Sequence, residues 1–410
     1  MKRVLGTFLL VFAIILLLFS SCINAVTISY QNNKVSLPKA NQKFLSDDIS
    51  FDLRVKLTMR LGHFPSVSSC IIKNDSIVWY NGYGKAKFFP KKEPTPDTIY
   101  PIGSISKTVT ATAVMQLWEQ GFFDLDDDVN DYLDINVRNP YYPDTPITFR
   151  MLLTHHSSLT NNKNLHDIYL FILFITHKKD YPYPLIKEII TPEGKFYKPD
   201  IWKNSIPGSK QTYSNFNFML LEHLIEVFSG QSFSEYCKQN IFEPLNMSNT
   251  SFYFDDLKDK DLAGSYHNFG GFYYPIPYVD VGYSFGGLKT SISDCSHYVM
   301  AYINEGMWND FRLLKESTID MMLTVQFENT SRYSRQGLGW QRFRGFGNSS
   351  TFGHVGHVPG GSGAIFMNTE ENYAQIFFIN RYILFTRPRV LFAWFMLCNI
   401  FTTKTEEFLI

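Results

Sequence analysis

The chain is short of cysteine, of unbalanced charge and of any apolar run long enough to cross a bilayer comfortably. Five cysteines occur in 410 residues, and none stands in a C-x-x-C pair. Cys70, Cys237, Cys295 and Cys398 are scattered, which argues against a disulfide framework or a zinc site and reads them as small buried hydrophobes. Lys plus Arg and Asp plus Glu both number 38. That balance removes the electrostatic footprint of a nucleic-acid binder, so no nucleic-acid partner is expected. No run of like charge, internal repeat or low-complexity tract interrupts the chain. No H-E-x-x-H motif is present, and His354 and His357 lack further partners at metal-ligand spacing. Neither a metal nor another cofactor is expected.

What is present is apolar and aromatic. Hydrophobic residues make up 45% and aromatics 16%, enough for one large core or two interleaved domains. Residues 1–25 differ from the rest: Lys2 and Arg3 precede an apolar run from Val4 to Phe19, then Ser20, Ser21, Cys22 and Ala25. The run is roughly 16 residues against the ~20 of a full span. It reads as a secretory signal, with an uncleaved membrane anchor or a lipoprotein box on Cys22 as alternatives. All three put the body outside the cytosol, secreted or membrane-associated, with a possible tether through this segment. N-x-S/T triplets at Asn74, Asn246, Asn249, Asn329 and Asn348 permit glycosylation.

Residues 26–50 read as a linker and 51–401 as the working domain, with 402–410 a tail. Ser66–Ile72 and Ser76–Tyr83, joined by Lys73-Asn74-Asp75, predict a hairpin. Helical spacing runs from Ser104 to Gln120 and recurs at Phe149–Thr154, Asn217–Phe228, Phe233–Ile241 and Ser293–Asn304. Gly337–Trp340, Ala364–Asn368 and Tyr373–Asn380 read as strands, and Arg389–Phe401 as a closing core helix. Asn161 to Pro207 is long and poorly patterned, the mark of an insertion or lid, with Ile168–Ile175 as lid packing. Strands at both ends with helices between them predict an α+β fold, an α/β sandwich. An antiparallel sheet built from both chain ends is flanked by helices, with a helical subdomain at about 105–270.

Three short elements carry chemistry. In Ser104-Ile105-Ser106-Lys107 the two functional side chains are three apart, so a helix puts hydroxyl and amine on one face. Ser104 stands at a helix start, where backbone N–H groups favour an oxyanion and disfavour a protonated Lys107. Tyr213-Ser214-Asn215 follows Pro207-Gly208 and precedes a helix. Against Lys107, Tyr213 is a candidate phenolate relay, and Asn215 a candidate amide to hold Lys107 and a substrate carbonyl. In His354-Val355-Gly356-His357, a strand with Gly356 lets substrate lie close, and the His357 N–H is a candidate second oxyanion donor. His155 reads as a structural hydrogen-bonder.

In this order and at these separations, the elements resemble the serine β-lactamase and penicillin-binding-protein superfamily, in its class C-like branch. Flanking stretches agree: Gly82-Tyr83-Gly84-Lys85-Ala86, Gly121 to Val129, Leu152-Leu153-Thr154-His155 and Ile241 to Met247, covering about Phe51 to Ile383 apart from the Asn161–Pro207 insertion. The resemblance implies Ser104 as nucleophile, Lys107 with Tyr213 as base pair, Asn215 against substrate and Lys107, and the His354–Gly356 strand lining the pocket. It implies a small-molecule or peptide acyl substrate, an amide or ester, as for an esterase or D-amino-acid peptidase. It specifies no oligomer.

Three departures stand out. His354 replaces a lysine, which weakens the case for a substrate carboxylate and for β-lactams. His357 replaces a glycine and adds bulk beside the oxyanion site. His155-His156-Ser157-Ser158-Leu159 lacks the glycine before leucine, so that loop is expected to take another path. The last two motivate an alternative: a catalytically inactive binding or structural module on the same fold.

Overall fold

The computed structural model describes residues 50–161, 184–269, 271–276, 282–327, 335–343, 351–382 and 388–408. The leader with Cys22, nearly all of the linker, Ile168–Ile175, Asn329 and Asn348 lie outside them. The chain separates into two compact units, residues 1–54 and 55–410. Among the described residues no helix is long and apolar enough to cross a membrane.

The helices are α1 (Phe51–Gly62), α2 (Ser106–Glu119), α3 (Phe149–Leu153), α4 (Pro184–Ile190), α5 (Asn215–Ser229), α6 (Phe233–Cys237), α7 (Tyr283–Gly286), α8 (Ile292–Ile303), α9 (Glu316–Met322) and α10 (Pro388–Glu406). The strands are β1 (Ser66–Lys73), β2 (Ser76–Gly84), β3 (Ile99–Pro101), β4 (Tyr266–Phe269), β5 (Phe272–Pro275), β6 (Lys289–Ser291), β7 (Met307–Trp308), β8 (Phe311–Arg312), β9 (Arg335–Gln336), β10 (Gln341–Arg342), β11 (Phe352–Val358), β12 (Gly361–Asn368) and β13 (Tyr373–Ile379).

Seven strands make one sheet in the order β2-β1-β13-β12-β11-β10-β9. Every pairing in it is antiparallel. The β1–β2 hairpin turns at Asn74, whose φ of 52° suits the left-handed conformation that Asn tolerates. β1 then pairs with β13, Val67 opposite Ile379 and Lys73 opposite Tyr373, so the two ends of the unit meet in the middle of the sheet. β1, β12 and β13 are buried almost throughout because helices cover both faces. α8 packs against β1 and β13. α10 covers β13 on Phe377, whose ring lies 5.0 Å from Trp394 and 5.3 Å from Phe401.

α2 is buried nearly all round and runs through the core although half of its side chains are polar, so those must find partners inside. Its threonines are satisfied inside: Thr112 Oγ1 lies 2.8 Å from the Tyr298 hydroxyl and 2.7 Å from that of Tyr302. All four cysteines of the described residues are free and buried, as their scatter implied.

Three readings need correction. Gly337–Trp340 is no strand but the turn between β9 and β10, with Gly339 at φ 76° and Trp340 fully buried. Its apolar content reflects core packing rather than pairing. The insertion is patterned in its second half, where α4 buries Leu185, Ile186 and Ile189. α10 runs past Phe401 to Glu406, into the expected tail, because Thr405 is buried and bonded to Gln375 at 3.0 Å.

Candidate active site

A single 3-10 turn, Gly103–Ile105, precedes α2 and carries Ser104. Gly103 has φ 57°, a left-handed value that favours glycine, and the turn presses against β11. A Cβ on Gly103 would lie 2.6 Å from the His357 nitrogen; one on Gly356 would lie 1.9 Å from the Ile102 carbonyl oxygen and 2.9 Å from the Ser104 nitrogen. Two glycines therefore let strand and turn touch backbone to backbone.

Ser104, partly exposed, is the meeting point. Lys107, in the first turn of α2, donates from Nζ to Ser104 Oγ at 3.2 Å, as the three-residue spacing predicts. Tyr213, 109 residues downstream, places its hydroxyl 2.8 Å from the same Oγ. It stands immediately before Ser214, which caps α5 by accepting from the Phe216 N–H, so a helix start fixes its position.

Lys107 is fully buried, and burial pushes its amine well below the ordinary lysine range. Nζ also donates to the Phe285 carbonyl at 2.6 Å and lies 5.0 Å from the centre of the Tyr213 ring. A carbonyl oxygen orients the amine without adding a negative charge that would hold it as ammonium. The Tyr213 phenol is pushed up to about 12, first by burial, with the Ser104 hydrogen bond opposing. The residue still keeps 38% of its surface open, so water screens part of that shift. At neutral pH the arrangement is a depressed amine and a protonated phenol on one hydroxyl. A phenol pushed up to about 12 disfavours the resting phenolate read from the sequence, and burial of Lys107 works against the cation that was to stabilise it.

Asn215 is buried at the start of α5, with its backbone N–H donating to Asn161 Oδ1 at 2.8 Å. The Phe285 carbonyl, not the Asn215 amide, is the second acceptor of Lys107. Phe285 was missed because a backbone acceptor leaves no residue-type signal.

The β11 residues divide by face. His354 and Gly356 turn toward the Ser104 side, and His354 is buried and driven down to about 3 by burial, then by the nearby Lys107 amine. His357 points the other way, its ring 5.0 Å from Trp394 of α10. Burial lowers it to about 4. The expected crowding of the oxyanion site by His357 does not arise, because side chains alternate across a strand and this one falls on the far face. Its backbone nitrogen stays beside Gly103, as a second oxyanion donor requires. Among the described residues β10 pairs with β11 at Phe352 and Gly353.

His155 is the expected hydrogen-bonder. Its Nδ1 accepts from the Ser214 N–H at 3.3 Å and from Asn217 Nδ2 at 3.1 Å, and its ring lies 4.4 Å from Tyr213. Burial, then Lys107 and His354, holds it well below the ordinary histidine range. The loop does not need its missing glycine: Ser158 adopts φ 66° and accepts from Asn139 Nδ2 at 2.7 Å. Among the described residues no cluster of His, Cys, Asp or Glu could hold a metal.

The family model described as Beta-lactamase matches residues 51–389. Among solved structures, the chain is similar to the octameric penicillin-binding protein homologue from Pyrococcus abyssi, with TM-score 0.70, 28% identity, and coverage of 86% of this chain and 76% of that one. A class C beta-lactamase gives TM-score 0.65 at 18% identity, over 85% of this chain and 94% of that one, a likeness of fold alone. Among curated proteins, Protein flp of Staphylococcus aureus (strain MRSA252) is 25% identical over 338 residues, 80% of this chain and 62% of the relative. Beta-lactamase-like protein 2 of Dictyostelium discoideum is 28% identical over 309 residues, 73% of this chain and 52% of the relative. The matched part is thus less than two thirds of either relative's length.

Proposed function

Because the chain belongs to the beta-lactamase family, within the serine β-lactamase and penicillin-binding-protein superfamily, we propose that it hydrolyses amide or ester bonds through an acyl-enzyme on Ser104. One observation carries this: Ser104 Oγ lies 3.2 Å from the Lys107 amine and 2.8 Å from the Tyr213 hydroxyl at the mouth of a helix.

Neutral Lys107 takes the Ser104 proton as Oγ attacks the substrate carbonyl carbon. The backbone N–H groups of Ser104 and His357 receive the developing oxyanion. Tyr213, a protonated phenol, gives its proton to the departing oxygen or nitrogen and recovers one from the Lys107 ammonium. Water then attacks the acyl carbon, losing its proton to the same pair, and Ser104 is restored.

The reading extends to substrate. A neutral His354 offers no fixed positive charge for a carboxylate, which supports small esters and D-amino-acid amides ahead of β-lactams. We also place the protein outside the cytosol, on the strength of residues 1–25. A fluorophosphonate or penicillin probe should label wild type and leave Ser104→Ala unmarked. Turnover of p-nitrophenyl esters should exceed turnover of nitrocefin, and the opposite order would remove the esterase preference. Well-folded protein silent toward every acylating probe would instead support a binding module without turnover.

A further inference from the structure

We propose that Glu222 is a positioning residue for Lys107: through Ser284 it fixes the short turn whose next carbonyl, at Phe285, holds the lysine amine. The role rests on the acylation reading above but is measurable without it.

α7 has four residues and follows Gly282 at φ 55°, so it has too few hydrogen bonds of its own to hold its place. Two neighbours grip Ser284 within it. The Ser284 hydroxyl donates to Glu222 Oε2 at 2.5 Å. The Ser284 carbonyl accepts from Thr110 Oγ1 at 2.6 Å, three residues beyond Lys107 on α2. The next carbonyl, Phe285, accepts from Lys107 Nζ at 2.6 Å. On α5, Glu222 sits one turn past Phe218, whose ring centre is 5.6 Å from Nζ. One face of α5 therefore supplies both an apolar wall for the amine and the clamp for its acceptor.

The indirectness has a chemical purpose. A carboxylate bonded straight to Lys107 would stabilise the ammonium and spoil the base. One residue removed, Glu222 fixes geometry and hands the amine only a neutral carbonyl. The carboxyl is itself raised to about 8, mainly by burial, so its field at Lys107 is weak at neutral pH. Glu226 and Cys237 lie beside Glu222, whereas the described groups around Lys107, Ser104, Tyr213, His155 and His354, include no carboxylate.

The test uses full-length protein with Lys labelled at 13Cε, following the Lys107 titration by NMR in wild type, Glu222→Gln and Glu222→Ala, alongside the acid limb of Ser104 labelling. Glu222→Gln, a neutral isostere that keeps the acceptor, should titrate as wild type and label within about twofold of its rate. Glu222→Ala should let water reach the amine, moving the Lys107 titration and the acid limb together to higher pH, with labelling at pH 7 down ~10-fold or more. Ser284→Ala should do the same, and carries the test if Glu222→Ala does not fold. An unmoved Lys107 titration in both the Glu222→Ala and Ser284→Ala proteins, or an equal shift in Glu222→Gln, overturns the role. If wild type is unlabelled yet the alanine variants still shift Lys107, the positioning stands and the acylation reading falls.

Discussion

Acidification from pH 7 to pH 5 should weaken the fold, and the magnitude follows from histidines the structure keeps neutral. His156 is 1% exposed with a pKa lowered to about 4, and His354 is 3% exposed with one lowered to about 3; burial is the main cause in both. In the unfolded chain each titrates near 6.5. A folded-state value below the unfolded one means stability fully present above ~pH 6.5 and lost as pH falls toward the folded value. Over this interval each histidine costs about 2 kcal/mol. His155, the partly exposed His357 and Lys107 act in the same direction. Glu222 opposes them. Raised to about 8, it contributes stability that is full below its unfolded value and lost as pH rises through 8, so acidification returns about 2–3 kcal/mol at most. Asp294, also raised by burial, has that sign.

Urea unfolding followed by tryptophan fluorescence at the two pH values measures the net loss. Two variants separate the contributions. His156→Gln should reduce the acid loss by about 2 kcal/mol whatever its own stability at pH 7, whereas Glu222→Gln should enlarge it by about 2–3 kcal/mol at most. Stability that is flat or rising between pH 7 and 5, or an unchanged acid loss in His156→Gln, would refute the assignment of neutral buried imidazoles.

Tyr213→Phe removes the hydroxyl 2.8 Å from Ser104 and should lower kcat/KM for esters by ~10²–10⁴, with a urea stability change within about 0.5 kcal/mol because the side chain is exposed. Gly356→Ala should force β11 off the Ile102 carbonyl, costing about 1–3 kcal/mol and slowing Ser104 labelling ~10-fold or more, by calorimetry and labelling rate. His357→Ala should label within about threefold of wild type while losing about 1–3 kcal/mol of packing on Trp394; a large labelling defect would put the ring back in the site.

Much of the fold was readable locally. The β1–β2 hairpin, α2, α5 and α8 follow from period and caps, and the apolar runs at β12 and β13 announce strands buried on both faces. Where reading failed, burial had mimicked pattern: Gly337–Trp340 is apolar because Trp340 is buried, not because a strand passes there. Of the site, the Ser104–Lys107 contact was legible, since three residues on a helix span a known distance. Sequence reading places the His357 ring beside the oxyanion site; strand alternation turns it to the far face once His354 is seen to meet the serine side.

By itself, then, the sequence determined what bond geometry can transmit along a turn or strand: a hydroxyl and an amine on one helical face, a glycine-bearing strand, a capped helix after Tyr213. Tertiary structure alone decided the rest. It brought Tyr213 across 109 residues to Ser104, supplied the Phe285 carbonyl in place of the Asn215 amide, and turned the His357 ring outward onto Trp394. It also set the charges. Whether Lys107 is a base depends on how much water is excluded around it, and desolvation belongs to the packed interior, not to any stretch of chain.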